Sequence, residues 1–344
     1  MKKSQKPSKS IDLAAVARAA GVSTATVSRV INQSDVVKDA TRDRVQRAIE
    51  RTGYVPNRIA GGLAANRTGL IAVIVPSLLH SVFSETIQSM TEELSRSGFQ
   101  VLLGLSGDDD RNLAKIIESV LSRRPDGIIL TALPGNAQIR KQINSMGIPV
   151  IETWEQPQRP LDMAVGFSHV KAGALVADFI AARGYRRVAT LSADSPRAEA
   201  RRDSFCQRLR ELGLSQPQIE TVQAPSTVAQ GRTALGRMIS GSRERPEVIV
   251  CSSDWLAMGC LIEARTRGLK VPADISVLGF GDQDFSADLE PPLTTVHVDG
   301  NEIGRQAVQL LAQRARGLKP AHRIIDIAVR IVERGSCRAL VARH

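Results

Sequence analysis

The chain has 344 residues, 42% hydrophobic and 24% charged, the balance of a globular protein with room for about two domains. Aromatic residues make up only 3%, so the core has to be built from Ala, Val, Leu and Ile. The four cysteines (Cys206, Cys251, Cys260, Cys337) and five histidines show no CxxC, HxxxH or HExxH spacing, which argues against a metal centre, a metal cofactor or a disulfide framework. No apolar run approaches the ~18 residues of a membrane span, and MKKSQKPSKS leads into no apolar signal core, so a cytoplasmic location is expected. The charge is uneven: residues 1–68 hold 13 Lys/Arg against 5 Asp/Glu, so +8 of the net +11 lies in one fifth of the chain. That asymmetry points to a polyanion-binding module at the N-terminus.

In chain order, Asp12 is placed to cap a first helix over Leu13–Ala20, with Leu13, Val16, Ala17 and Ala20 on one face. Gly21 supplies a turn, and Ser23 caps a second helix from Thr24 to about Ile31 whose inner face is Val27, Val30 and Ile31. Thr24, Ala25, Ser28 and Arg29 then project outward. A third amphipathic helix, about Asp39–Arg51, closes the core with Val45, Ala48 and Ile49. Two short helices joined by a tight Gly turn form a helix-turn-helix unit, whose second helix enters the major groove. A small, polar outer face on that helix, in the most basic part of the chain, favours DNA reading over a plain three-helix bundle. The expected domains are a head over 1–56, a linker over 57–68, and a body over 69–344.

In the body, apolar runs alternate with amphipathic stretches. Strands are expected at 71–75, 100–105, 127–131, 149–153, 163–167, 187–191, 248–252 and 275–280. Helical segments between them end at Gly98, Gly147, Gly184 and Gly268, the residue type suited to a left-handed helix stop. Alternating βα units imply two doubly wound parallel sheets, an α/β fold with ligands at the carboxyl ends of the strands. The two lobes are expected at about 69–160 with 293–320, and 161–290 with 321–334. No GxSxG, P-loop lysine motif or GxGxxG is present, and the loops FGDQDF (280–285) and SADSPR (192–197) suit binding rather than turnover. Neither an enzyme nor a cofactor is expected.

The run AAGVSTATVSRVIN (19–32) followed by TRDRVQRAIERTGYVPN (41–57) resembles the head of the LacI-type repressors, and the resemblance extends along nearly the whole chain. It implies a periplasmic-binding-protein-like bilobal body, a homodimer, and a near-palindromic double-stranded DNA operator. By the same resemblance Thr24, Ala25 and Arg29 would read bases, with Arg29 able to grip guanine through two hydrogen bonds. Ser23, Thr26, Ser28 and Asn32 would hold phosphates, with Tyr54 and Asn57 where the head ends. Ala15 and Lys38 depart from the family pattern, which has an acidic residue and a capping Ser at those places. The linker would become helical on DNA and wedge Leu63 into the minor groove. Gly61 and Gly62 oppose that helix at a cost of roughly 1 kcal/mol each.

For the small-molecule site the resemblance implies His80 and Phe83, Arg201 as the holder of an oxygen-rich effector, and Ser253 with Asp254. Gly281 stands where an acidic residue is frequent and Asp282 follows it; Ser226 stands where many relatives have an aromatic. Within the family, GIPVIE (147–152) and LDMAVGF (161–167) are most similar to the gluconate repressors. A sugar acid fits an arginine paired with its carboxylate and Glu152, Asp254 and Ser226 near its hydroxyls. The expected function is a repressor controlled by such an effector, gluconate for example; the alternative is a regulator of the same family responding to a neutral sugar or another small metabolite.

Overall fold

The computed structural model describes residues 12–32, 36–55, 68–78, 82–107, 110–131, 135–240 and 245–339. The chain divides into two compact units after Gly69. Most of the expected linker, including Asn57 and Leu63, lies outside the described residues, as does His80.

The first unit holds three helices: α1 (Leu13–Ala20), α2 (Thr24–Asn32) and α3 (Asp39–Thr52). Asp12 caps α1 by accepting from the Ala15 N–H at 2.8 Å, and Gly21, in the left-handed conformation (φ 67°), stops it. Val16, Val27, Val45 and Ala48 are fully buried and form the centre of the core, ringed by half-buried Leu13, Ile31, Ile49 and Tyr54. Arg51 reaches back from α3 to the Ala19 carbonyl (2.9 Å), a cation at the negative end of α1 that ties the first helix to the third. Lys38 precedes α3 without any side-chain cap, as the missing Ser implies.

The second unit contains two six-stranded sheets. The first is built from β1 (Leu70–Val75), β2 (Gln100–Leu105), β3 (Gly127–Leu130), β4 (Val150–Thr153), β5 (Met163–Gly166) and β11 (Ile324–Asp326), in the order β11-β5-β4-β3-β1-β2. Helices α4 (Ser84–Arg96) and α11 (Gly300–Ala315) cover one face, and α5 (Asp110–Leu121) and α6 (Ala137–Ser145) the other. The second comprises β6 (Val188–Ala193), β7 (Gln218–Val222), β8 (Val248–Cys251), β9 (Ser276–Gly281), β10 (Thr294–Val298) and β12 (Val329–Val332), in the order β12-β10-β9-β8-β6-β7. Helices α7 (His169–Ala182) and α8 (Pro196–Glu211) pack together, and α9 (Val228–Ser240) pairs with α10 (Asp254–Thr266). Every described strand pairing is parallel except β10 with β12. One hydrophobic cluster runs through both lobes, joined by Trp154, Phe167 and Phe280.

The glycine stops fall as expected, with Gly98, Gly147, Gly184 and Gly268 at φ of 63–79°. The division into lobes does not. The strand at 163–166 was expected to open the second lobe, yet it pairs with β4 (Ile151 opposite Met163) and completes the first sheet. The strand at 294–298 belongs to the second sheet rather than the first, while the helix after it returns to the first. The end of the chain gives one strand to each: 324–326 to the first and 329–332 to the second. The chain therefore crosses between lobes three times, near 167, 299 and 327. Apolar periodicity identifies a strand but carries no information on which sheet it joins. β7 was missed because it is a mostly exposed edge strand, QIETV, with no apolar run.

α7 and α8 approach so closely that a Cβ added at Gly173 would lie 2.2 Å from the Arg201 carbonyl oxygen. Gly173→Ala should therefore force the pair apart and cost roughly 1–3 kcal/mol. Urea unfolding would register this as a lowered midpoint at constant slope. An unchanged midpoint would show that the two helices separate freely.

Candidate functional site

The outer face of α2 is the first site. Thr24, Ala25 and Arg29 are exposed and Ser28 is half-buried, while Val27 and Val30 point into the core. This follows from helical spacing: 27 and 30 share one side, and 24, 25 and 29 lie on the others. The Ser23 hydroxyl accepts from the Thr26 N–H (3.1 Å) and pairs with the Thr26 hydroxyl (2.9 Å). Both side chains thus also build the N-terminus of α2, the helix end that favours phosphate. Tyr54 packs half-buried against the three-helix core. Arg29→Ala should weaken binding to a cognate operator by roughly 1–3 kcal/mol and relax its sequence preference, with less effect on unrelated DNA. Gel shifts on both DNAs read the difference; equal losses would make Arg29 a phosphate contact.

The second site lies where the strand ends of the two sheets face each other. Arg201 projects from α8 and is mostly buried. It donates to His169 Nδ1 (3.0 Å) and to the Ser252 carbonyl (3.1 Å), and its guanidinium lies 3.9 Å from the centre of the Phe280 ring. Among the described residues it has no carboxylate within salt-bridge distance. Burial, and then the neighbouring Arg197 charge, lower it to about 9, so it remains a cation at neutral pH. His169 is buried, and burial followed by the Arg201 and Arg197 charges holds it down at about 2. The neutral ring accepts from Arg201 at Nδ1, so its Nε2–H donates to the Trp154 carbonyl at 3.0 Å. Phe83 stacks edge-on against Trp154 (5.1 Å), and Trp154 against Phe167 (6.0 Å). The Trp154 indole N–H donates to Thr86 Oγ1 at 3.0 Å.

Three acidic residues expected near a ligand are already committed to the protein. Glu152 is 1% exposed; it accepts from Arg140 Nη1 (3.2 Å) and the Leu161 N–H (2.7 Å). Strand alternation explains it: Ile151 joins the core shared with α4, whereas Val150 packs with the α5 and α6 residues. Glu152 shares the Val150 side and so faces α6, not the cleft. Asp254 has no exposed surface and accepts from the Gln283 N–H (2.8 Å), Ser286 Oγ (2.8 Å) and Thr295 Oγ1 (2.6 Å). Burial raises its pKa against those hydrogen bonds. It is a brace among α10, the loop after β9 and β10. Asp282 pairs with His297 Nδ1 (2.9 Å) and Arg334 Nη2 (2.8 Å). Ser253 caps α10 by accepting from the Leu256 N–H, and Ser226 is half-buried beyond β7.

Sequence reasoning missed Trp154, Glu155, His169 and Arg197. Their signals were present but unspecific: a Trp-Glu pair after a strand, a lone His, and the Arg of SADSPR. A cavity of about 30 Å³ lies against Arg201, lined also by Ser192, Phe205, Ser252 and Phe280, with room for about one water. The open groove between α9 and α10 is lined by residues of the two helices and by Arg267 just past the end of α10.

The neutral state of His169 makes a pH prediction. The unfolded ring takes a proton near 6.5 and the native ring only near 2. Below 6.5 the unfolded chain therefore binds the extra proton, and stability falls with pH by about 1.4 kcal/mol per unit from this group. In urea titrations between about pH 6 and pH 4, His169→Gln should lose roughly one proton's worth of that slope. An unaltered slope would mean the native histidine is charged.

A three-helix head of helix-turn-helix form and a bilobal α/β body with polar groups between its lobes define the class of ligand-responsive DNA-binding regulators. The model described as "Bacterial regulatory proteins, lacI family" matches residues 12–57, and the "Periplasmic binding protein-like domain" matches 177–337. The HTH-type transcriptional regulator GntR of Pseudomonas aeruginosa is 32% identical over 93% of this chain and 94% of that protein. The HTH-type transcriptional repressor CytR of Escherichia coli is 30% identical over 94% of this chain and 96% of that protein. A LacI-family regulator structure from Silicibacter pomeroyi superposes with a TM-score of 0.90 at 33% identity, covering 95% of this chain and all of that one. The lac repressor dimer bound to operator and an anti-inducer gives 0.83 at 27% identity, covering 96% of this chain and 100% of that one. The chain belongs to the lacI family of bacterial transcriptional regulators, and its relatives are regulators rather than enzymes. Among the described residues no helix is long and apolar enough to cross a membrane.

Proposed function

We propose that the protein is a cytoplasmic repressor that binds a near-palindromic operator as a homodimer and is controlled by a sugar acid such as gluconate. The observation that carries the effector class is Arg201: a mostly buried guanidinium at the strand ends, held by a neutral imidazole, a carbonyl and an aromatic face. A buried charge is costly without a counter-charge, and a carboxylate is the planar partner that a guanidinium fits. Phe83, backed by the buried Trp154, offers an apolar wall against which a sugar ring can lie, and Ser226 and Ser253 offer hydroxyls. Similarity to GntR agrees with this reading, while comparable similarity to CytR means that identity alone does not choose the ligand.

In the head, Thr24, Ala25 and Arg29 read bases, and Ser23, Thr26, Ser28 and Asn32 hold the backbone. Tyr54, Asn57 and Leu63 extend the contact toward the operator centre. Effector and DNA oppose each other because each favours a different lobe arrangement, and the coupling is reciprocal.

Calorimetry with gluconate, 2-ketogluconate, galacturonate and glucose tests the ligand class. Wild type should bind an acid and not glucose. Arg201→Ala should abolish that binding while operator binding persists, giving a repressor that no longer responds. Arg201→Lys should recover only part of the affinity, because an ammonium lacks the two-pronged geometry. Glucose bound as tightly as the acids would favour the neutral-sugar alternative.

A further inference from the structure

We propose that Arg197 is a second effector-binding residue of the cleft and sets its selectivity for acids, with Glu155 as the resident counter-ion that an incoming carboxylate displaces. This rests on the acidic-effector reading above and names residues that the family resemblance does not supply.

Arg197 and Arg201 are one turn apart on α8, so both emerge on the same side of the helix. Arg197 reaches from the second lobe to three acceptors on the first. Its Nη2 donates to the Thr131 carbonyl (2.7 Å) and the Thr153 carbonyl (3.2 Å), at the ends of β3 and β4; its Nε donates to Glu155 Oε2 (3.3 Å). The same Glu155 oxygen lies 3.6 Å from His169 Nε2. Of these three acceptors two are neutral carbonyls and one is the Glu155 carboxylate, whose charge also acts on Arg201 from beyond ion-pair distance. With His169 neutral, the group formed by Arg197, Arg201, Glu155 and His169 carries one net positive charge. One further carboxylate balances it; a neutral sugar leaves the excess charge in a closing, water-poor cleft.

The backbone shows that Glu155 is held there deliberately. Trp154, immediately before it, has φ 63°, a left-handed conformation that a bulky residue adopts only under strain. That conformation is fixed by the Thr86 hydrogen bond and by burial of the indole. On the other side, a Cβ at Gly166 would lie 2.4 Å from the Glu155 amide nitrogen, so β5 can approach only because residue 166 is glycine. The main chain of Glu155 is thereby pinned while its side chain keeps 23% of its surface in solvent. A pinned backbone with a partly exposed carboxylate can release Arg197 by rotating the side chain, with no loop movement.

The test is calorimetry on the full chain with gluconate, 2-ketogluconate, galacturonate and glucose. Arg197→Gln should weaken the bound acid roughly tenfold to a hundredfold, the loss of one charge-assisted contact, and Arg197→Lys should fall between. Glu155→Gln should tighten the same acid several-fold, because the internal competitor is gone. Thermal melts establish that each variant folds; if Arg197→Gln does not, Arg197→Lys and Glu155→Gln decide the matter. Affinity within twofold of wild type for the folded Arg197 variant, or weaker acid binding by Glu155→Gln, overturns the proposal. If Arg201→Ala abolishes acid binding while the Arg197 variants bind normally, only this proposal fails. If glucose binds as well as the acids, or no acid binds, the acidic-effector reading fails with it.

Discussion

The body is organised around a row of aromatic rings that the two lobes hold in common. Phe83 and Trp154 come from the first lobe, Phe280 from the second, and Phe167 from the crossing between them. In a chain with so few aromatics, this concentration makes the two apolar cores continuous. The polar elements of the cleft are mounted on that row. Arg201 lies over Phe280, His169 packs against Phe167 at 4.6 Å, and the Trp154 carbonyl accepts the hydrogen bond from His169 Nε2–H. Aromatic quadrupoles favour a cation over the ring face, so the seam supplies both adhesion and part of the charge environment.

This construction couples charge to lobe position. Arg197 and Arg201 leave one helix of the second lobe, yet Arg197 is satisfied by carbonyls and a carboxylate of the first. Three chain crossings join the lobes mechanically, and the guanidinium contacts join them electrostatically. A ligand that recruits Arg197 alters contacts that span the cleft. That is the differential interaction a population shift requires. Asp254, Glu152 and Asp282 play the opposite part: held in hydrogen bonds or ion pairs within the protein, they stiffen the strand ends that frame the cleft.

The head obeys simpler physics. Seven small or β-branched residues fill its core, and the Arg51 contact to the end of α1 fixes the relation of the first helix to the third. Several of its basic residues have structural partners: Arg42 with Asp39, Arg47 with the Asp43 carbonyl, and Arg51 with Ala19. Arg29 stands on the exposed face of the second helix. The positive charge of this segment is therefore divided between contacts internal to the head and an exposed cationic face on the second helix.

The sequence by itself determined the three-helix head, its caps at Asp12 and Ser23, the outward set Thr24, Ala25 and Arg29, and the alternation of strands and helices with their glycine stops. These features are local: 3.6-residue and two-residue periodicities and the left-handed preference of glycine are written in neighbouring residues. Only the tertiary structure decided that the strand at 163–166 closes the first sheet and that the strand at 294–298 belongs to the second, because pairing depends on partners far along the chain. It alone turned Glu152 toward α6 and buried Asp254 among three donors; a carboxylate next to a strand end reads the same in sequence whether it faces a ligand or a neighbouring helix. Likewise Trp154, Glu155, His169 and Arg197 are separated by up to 43 positions and become one cluster only when two sheets bring their carboxyl ends together. Charge complementarity over such separations has no periodic signature, so it becomes visible only once the chain is folded.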